Sequence, residues 1–205
     1  MKAMNKGILI VLSGPSGCGK DTVLSQLIDS NEDIKVSVSM TTRSPRGLEV
    51  DGKDYYFVTR EYFEKKIAEG SMLEYAEYNG NYYGTPKAPV DEMLGSGINV
   101  VLEIEVQGAA KIRQLYPDAV SVFLLPPSLA TLEKRLRARG TEDEETLNHR
   151  LYIGEQEILR ASEFDYYVIN DKIRDALTDF ETIIKAEKLK ITRNKNIINE
   201  VINNV

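Results

Sequence analysis

The chain has 205 residues, 42% hydrophobic and 28% charged, enough to bury a substantial core as one domain with insertions. Its 26 Lys and Arg against 32 Asp and Glu give a net charge of −6, which argues against a long nucleic-acid polymer as partner, since binding one needs a basic face; an anionic ligand should be small and held by a local cluster. No stretch approaches the roughly 20 apolar residues of a membrane span, the Met1 start lacks the apolar core of a secretory signal, and the single cysteine permits no internal disulfide, so a reducing cytoplasm is the expected setting.

The first element is the short, unbroken apolar run from Gly7 to Leu12, as expected of a strand buried on both faces of a parallel sheet. Val23, Leu24, Leu27 and Ile28 then fall on one face of a helix. Between them, Gly14-Pro15-Ser16-Gly17-Cys18-Gly19-Lys20 fits G-x-x-x-x-G-K. Glycines there let backbone N–H groups curl around a polyphosphate at a helix N-terminus, while the lysine reaches the outer phosphates. A glycine-rich turn that merely packs would explain the glycines but not Lys20. The next position, where a Ser or Thr hydroxyl usually meets magnesium, is Asp21, followed by Thr22. Asp21 is expected to hold a metal-bound water or to turn outward. Cys18, close to a helix N-terminus and to Lys20, is expected to favour the reactive thiolate, with bound nucleotide slowing its alkylation, against the alternative of an inert small filler.

Ile34, Val36 and Val38 alternate along a second strand, and at its carboxyl end Ser39 to Gly47 carries hydroxyls and the arginines Arg43 and Arg46 around Pro45. Two forked guanidinium groups on a turn suit a phosphate monoester, against the alternative of a solvated turn with incidental arginines. Asp51-Gly52 reads as a hairpin turn into Tyr55-Tyr56-Phe57-Val58, Thr59 as the cap of a short helix bearing Phe63 and Ile67, and Gly70 as its end. Met72 to Tyr78 forms a strand, Asn79-Gly80 a type I′ turn, and Asn81 to Thr85 its partner. This segment is a small insertion. Its tyrosines read mostly as strand packing, but Glu74, if it faces inward, needs donors to satisfy it.

Pro86 to Leu94 is a helix, Asn99 to Glu105 a strand ending in Glu103 and Glu105, and Val106-Gln107-Gly108 opens another helix. Ala119 to Leu125 is a strand stopped by Pro126; Ser128 caps a helix on which Leu129, Leu132 and Leu136 share a face. The end of that helix is basic, with Lys134, Arg135, Arg137 and Arg139, and Thr141 to Glu144 reads as a capping box before Leu147, Arg150 and Leu151. The pattern suggests a mobile flap, or more blandly a solvated helical hairpin. His149 reads as an exposed helix residue without a role. Tyr166 to Ile169 is the last strand, Asn170-Asp171 a turn, and a helix runs from Ile173 toward Lys190. In the tail, Ile197, Ile198, Val201, Ile202 and Val205 form a narrow stripe that should dock on the core or on another subunit, or else fray.

Taken together and in this order, GPSGCGK, SVSMTTRSPRG, GKDYYF, EYAEYNGNYYGT, LEIEVQG and KRLRARGTEDEE closely resemble guanylate kinase, over nearly all of the chain up to about Lys188. The resemblance implies a single α/β domain: a P-loop NTPase-type parallel five-stranded sheet flanked by helices (1–38, 86–134 and 158–190). To this it adds a small mixed α/β GMP-binding insertion at 39–85, a helical lid at 135–157, and an extra tail at 191–205. It implies ATP + GMP giving ADP + GDP in purine nucleotide metabolism, with Mg2+ accompanying ATP. By the same resemblance Gly14, Pro15, Ser16, Gly17, Cys18, Gly19, Lys20, Asp21 and Thr22 bind ATP phosphates, with Asn170 and Asp171 near the adenine. Arg43, Arg46, Tyr55 and Tyr83 hold the GMP phosphate, and Ser39, Glu74, Thr85 and Glu105 surround the guanine; Glu105 stands where many relatives have Asp. Lys20, Arg43, Arg135, Arg139 and Arg150 supply the catalytic charge. A homo-oligomer is compatible with this reading. A guanylate-kinase-like module that binds protein ligands, or a kinase of another nucleotide or sugar phosphate, are the competing readings; the intact loop and lid argue against the first and Glu74 against the second.

Overall fold

The apolar run after Gly7 becomes the central strand because both of its faces find cover. The computed structural model describes residues 6–138 and 143–203. In chain order, β1 (Leu9–Ser13) leads to α1 (Lys20–Ser30) and β2 (Ile34–Val36). Then come β3 (Met40–Thr41), β4 (Tyr56–Phe57), α2 (Arg60–Ala68), β5 (Met72–Tyr78) and β6 (Asn81–Pro86). The chain returns through α3 (Lys87–Gly95), β7 (Asn99–Glu103), α4 (Val106–Leu115), β8 (Val120–Leu125) and α5 (Leu129–Ala138). It closes with α6 (Glu144–Leu159), β9 (Tyr166–Ile169), α7 (Ile173–Lys188) and α8 (Ile197–Asn203).

Five strands form a parallel sheet in the order β2-β7-β1-β8-β9, with helical crossovers that cover both faces. Alternation then sorts the strand residues. Ile8, Ile10, Leu12, Val101, Val122 and Leu124 pack against Val23 and Leu27 of α1 and Phe180 and Ile184 of α7. Leu9, Val11, Val100 and Leu102 pack on the other side against Val90 and Leu94 of α3 and Ala109 and Ile112 of α4. Each such side chain contributes about 1.5–3 kcal/mol when fully buried, so the two-sided core explains why these runs read as continuous apolar segments. A third cluster, Leu132, Leu136 and Leu147 with Leu151 and Ile158, joins α5 to α6.

The insertion folds as a second, four-stranded mixed sheet in the order β4-β3-β6-β5. Asn79 (φ 48°) and Gly80 (φ 74°) make the two-residue turn between β5 and β6, as expected. Thr59 accepts from the Tyr62 N–H at the start of α2, and Gly70 (φ 65°) follows its end. Several expectations need correction. The second strand stops at Val36, because the chain crosses to the other sheet before Met40, so Val38 and Ser39 lie between the sheets. Asp51-Gly52 does not close a hairpin: β4 pairs with β3 in parallel, and the Asp51 carboxylate instead accepts from the Phe57 N–H at 2.8 Å. Helix α3 begins one residue later than read, with Pro86 as its N-cap, and β7 ends at Glu103, leaving Glu105 as the N-cap residue of α4. Leu129 and Ile28 end up exposed, at helix margins the core does not reach. Asp143, accepting from the Thr146 N–H, caps α6; Thr141 and Glu142 lie outside the described residues, as does Arg139.

The segment beyond α7 is tied to the amino-terminal edge of the sheet through one buried acid. Glu187 is 1% exposed and accepts from the Tyr166 hydroxyl (2.7 Å) and from Arg193 Nη2 (3.0 Å), whose guanidinium also reaches the Asp118 carbonyl; Lys190 completes the set. Burial pushes this carboxyl up, but the bonds from Lys190, Tyr166 and Arg193 outweigh it and hold it below the usual range. Its contribution is therefore present above the ordinary carboxylate range and lost as pH falls through the depressed folded value. Deleting Ile191 to Val205 strands part of that charge by removing Arg193. We expect a loss of about 2 kcal/mol, or roughly 5 °C in Tm, read by thermal melting, with ligand preference at the opposite edge of the sheet unchanged. The apolar residues of α8, Ile197, Ile198, Val201 and Ile202, are all exposed.

Candidate active site

The carboxyl ends of the parallel strands, where such sheets place their ligands, carry the glycine-rich loop between β1 and α1. Gly19 adopts φ 95° and Lys20 opens α1, so the free N–H groups of the first helical turn face the loop's hollow. Lys20 Nζ folds back to donate to the Gly14 carbonyl at 2.8 Å. From below, the Asn170 amide donates to the Cys18 carbonyl at 2.8 Å, and a Cβ at Gly19 would come within 2.4 Å of that same amide nitrogen. Gly19 is thus required for its close approach as well as for its backbone angle. Asn170, expected beside the adenine, is buried under the loop and holds its shape; Asp171 is exposed.

Two arginines reach the loop from the helical pair. Arg135 on α5 donates to the Cys18 carbonyl (3.1 Å) and the Asn170 carbonyl (2.7 Å), and Arg150 on α6 donates to Ser16 Oγ (2.6 Å). Pro15 lies under Gly154 of α6. Arg137 instead joins α5 to α6 through Glu144 and pairs within α5 with Glu133. Asp21 and Thr22 are exposed, and the Asp21 charge acts on Glu103. Cys18 overturns the expected thiolate. It is fully buried, and burial pushes its thiol up to about 11 despite the opposing charge of Lys20, so it is an inert core filler rather than a nucleophile.

The second sheet assembles a separate cationic hollow. The Arg43 guanidinium lies 5.2 Å from the Tyr55 ring centre and 5.6 Å from that of Phe57, while Tyr55 and Tyr83 meet edge to face at 6.2 Å. Glu49, which the sequence reading left out, organises the group. Its carboxylate takes both forks of Arg43 (2.7 and 2.8 Å) and the Arg46 N–H (2.7 Å). The Arg43 bonds first, then the Arg46 amide, hold Glu49 down to about 2, and Glu49 in turn raises Arg43. The Arg46 side chain is exposed. An acid three residues beyond Arg46 in a turn was the available signal. Ser39 offers its carbonyl to the Tyr56 N–H at 2.8 Å, and its side chain is half-buried.

Glu74 and Thr85 face each other across β5 and β6, and the Thr85 hydroxyl donates to Glu74 Oε1 at 2.7 Å. Thr85 is fully buried and its one hydroxyl hydrogen is engaged, so it orients the carboxylate rather than offering a donor to a ligand. The other oxygen, Oε2, would lie 3.7 Å from a Cβ at Gly108, at the start of α4. Burial raises the Glu74 carboxyl, which the Thr85 bond and then Lys111 partly oppose. Glu105 at the N-cap of α4 is exposed and electrostatically coupled to Glu74. Glu103, at the end of β7, is raised by burial and by Asp21 and lowered by Lys20, which places it beside the loop. Among the described residues no three acids, histidines or cysteines gather as a metal cage.

Comparisons of the whole chain with known proteins converge on one family. A family model described as guanylate kinase matches residues 6–187. A guanylate kinase of Clostridium perfringens (strain SM101 / Type A) is 48% identical over 191 residues, covering 93% of this chain and 88% of that protein. One of Streptococcus thermophilus (strain CNRZ 1066) is 51% identical over 189 residues, covering 92% and 90%. The crystal structure of guanylate kinase from Anaplasma phagocytophilum is similar with a TM-score of 0.73 and 35% identity, over 92% of this chain and 90% of that one. Family model, sequence relatives and solved structure agree over nearly the same span, and on that agreement the chain belongs to the guanylate kinase family.

Proposed function

We infer that this protein transfers the terminal phosphoryl group of ATP to GMP, giving ADP and GDP. The observation that carries the acceptor's identity is the half-buried Glu74 carboxylate, oriented by Thr85 and leaving one oxygen toward the start of α4. Guanine offers N1–H and its exocyclic amine as adjacent donors to such a group. Gly14 to Lys20 hold the ATP phosphates at the helix N-terminus, and Arg43, Arg46, Tyr55 and Tyr83 hold the GMP phosphate. Arg135, Arg150 and Arg139 bring positive charge from the lid. Transfer between two anions needs alignment and neutralisation more than covalent help, so Lys20 and the arginines on either side of the moving group do the work, and a phosphate acceptor needs no general base.

The second sheet serves as the GMP-binding insertion and the α5–α6 pair as the lid that excludes water. Mg2+ fits the donor set: the exposed Asp21 and the nearby Glu103 suit an ion held mainly by phosphates and water, with carboxylates meeting its water shell. When bound, it neutralises charge between the ATP phosphates. The lone buried cysteine and the want of a long apolar helix among the described residues suit a cytoplasmic setting. The exposed α8 stripe is the surface through which copies would associate.

A coupled ADP-release assay with ATP and a panel of nucleoside and sugar monophosphates tests the reading. GMP should be used far faster than AMP, CMP, UMP or a hexose phosphate. No release above background with GMP would refute it.

A further inference from the structure

Glu157 has no part in the chemistry above, yet α6 carries it to the phosphate loop. Arg150, Gly154 and Glu157 stand four and then three residues apart, which places them on one stripe of the helix. The first meets Ser16. The second packs closely, since a Cβ there would lie 3.0 Å from the Leu132 side chain and 3.4 Å from Pro15. The stripe therefore runs along the loop, and one turn beyond Gly154 it carries the half-buried Glu157. Burial raises the Glu157 carboxyl, with the positive charges of Lys20 and Arg160 opposing the shift and Glu105 reinforcing it.

A carboxylate in that place opposes bound phosphates. It shares the field of Lys20 and repels the anion that Lys20 attracts, so its direct effect on bound phosphates is to loosen them. Because Arg150 sits on the same stripe, closure cannot deliver that cation without also delivering this anion. Equal tightening of substrate and product would not speed turnover, whereas product release limits many kinases with lids.

We propose that Glu157 is a release residue, a negative charge that α6 sets against Lys20 to loosen the grip on nucleotide phosphates so that ADP departs. This rests on the reading of Gly14 to Lys20 as the ATP phosphate site. The test is Glu157→Gln, which keeps size and removes charge, studied by calorimetric titration with Mg-ADP and by steady-state and single-turnover kinetics. ADP should bind about five- to tenfold tighter, the effect of one charge acting across the site, and kcat should fall by a similar factor while the single-turnover rate holds. Glu157→Asp, which keeps the charge, should bind ADP as the parent does, and Glu155→Gln, on an exposed position of α6, should change neither quantity. Unchanged or weaker ADP binding in Glu157→Gln overturns the proposal, as does tightening in Glu157→Asp, which would make packing the cause. Equal ADP binding by the parent and Lys20→Ala would instead sink the loop assignment.

Discussion

Lys20→Ala should lower kcat by about 10³-fold or more, the scale on which single cationic groups act in phosphoryl transfer, or about 4 kcal/mol of transition-state stabilisation. The fold should survive, because among the described residues the Lys20 ammonium hydrogen-bonds to the Gly14 carbonyl and the loop has other supports in Asn170 and Arg135. Thermal melting within a few degrees of the parent, with activity near background, is the expected pair of results. Asp21→Ser, at the exposed neighbouring position, should stay active, since on the proposed reading a carboxylate there would meet the metal's water shell rather than phosphate. Nearly full activity in Lys20→Ala would overturn the enzymatic reading of the loop as a whole.

Glu74→Gln should collapse the preference for GMP over AMP. A site built from paired donors and acceptors can reject the wrong analogue by about 10⁴ to 10⁵, because its own polar groups are stranded when the complement is absent. Adenine sets an unprotonated N1 against Glu74. Thr85 cannot rescue that mismatch, since its hydroxyl hydrogen already serves the carboxylate. Phosphate binding should suffer less than discrimination, as Arg43 and Tyr83 lie on a different part of the sheet edge and remain in place. The pH profile gives an independent check. On the proposed assignment the ionised carboxylate accepts the two guanine donors, and burial raises this group above an ordinary glutamate. The fall of kcat/KM for GMP on acidification should therefore begin at a higher pH than an ordinary glutamate would give, and this limb should vanish in Glu74→Gln. An unchanged GMP:AMP ratio in the variant would show that the guanine assignment is wrong.

The central sheet was legible in the sequence because a parallel strand covered on both faces needs an unbroken apolar run, and Leu9 to Leu12, Val100 to Leu102 and Val122 to Leu125 are such runs. The loop was legible for a related reason: glycines at fixed spacing before a lysine answer a local backbone demand, with Gly19 at φ 95°. Turn chemistry was equally local at Asn79-Gly80, where two residues with positive φ fix the hairpin. Asp51-Gly52 carries a similar signal and yet makes no hairpin, because strand partners are chosen by long-range pairing and β4 finds β3.

Burial and the partners of charged groups could not be read one residue at a time. Cys18 has neighbours in sequence that favour thiolate, but the packed core around it decides the opposite. The amide of Asn170 also supports the loop through the Cys18 carbonyl, 152 residues away in the chain, a contact that no local pattern announces. Glu49 and Glu157 carry no motif at all. Their roles arise where a turn closes on Arg43 and where the α6 stripe meets the loop, contacts that exist only after folding. The sequence by itself determined the strands, the anion loop and the family; tertiary structure alone decided which charges face one another, since electrostatic interaction depends on distance and burial rather than on order along the chain.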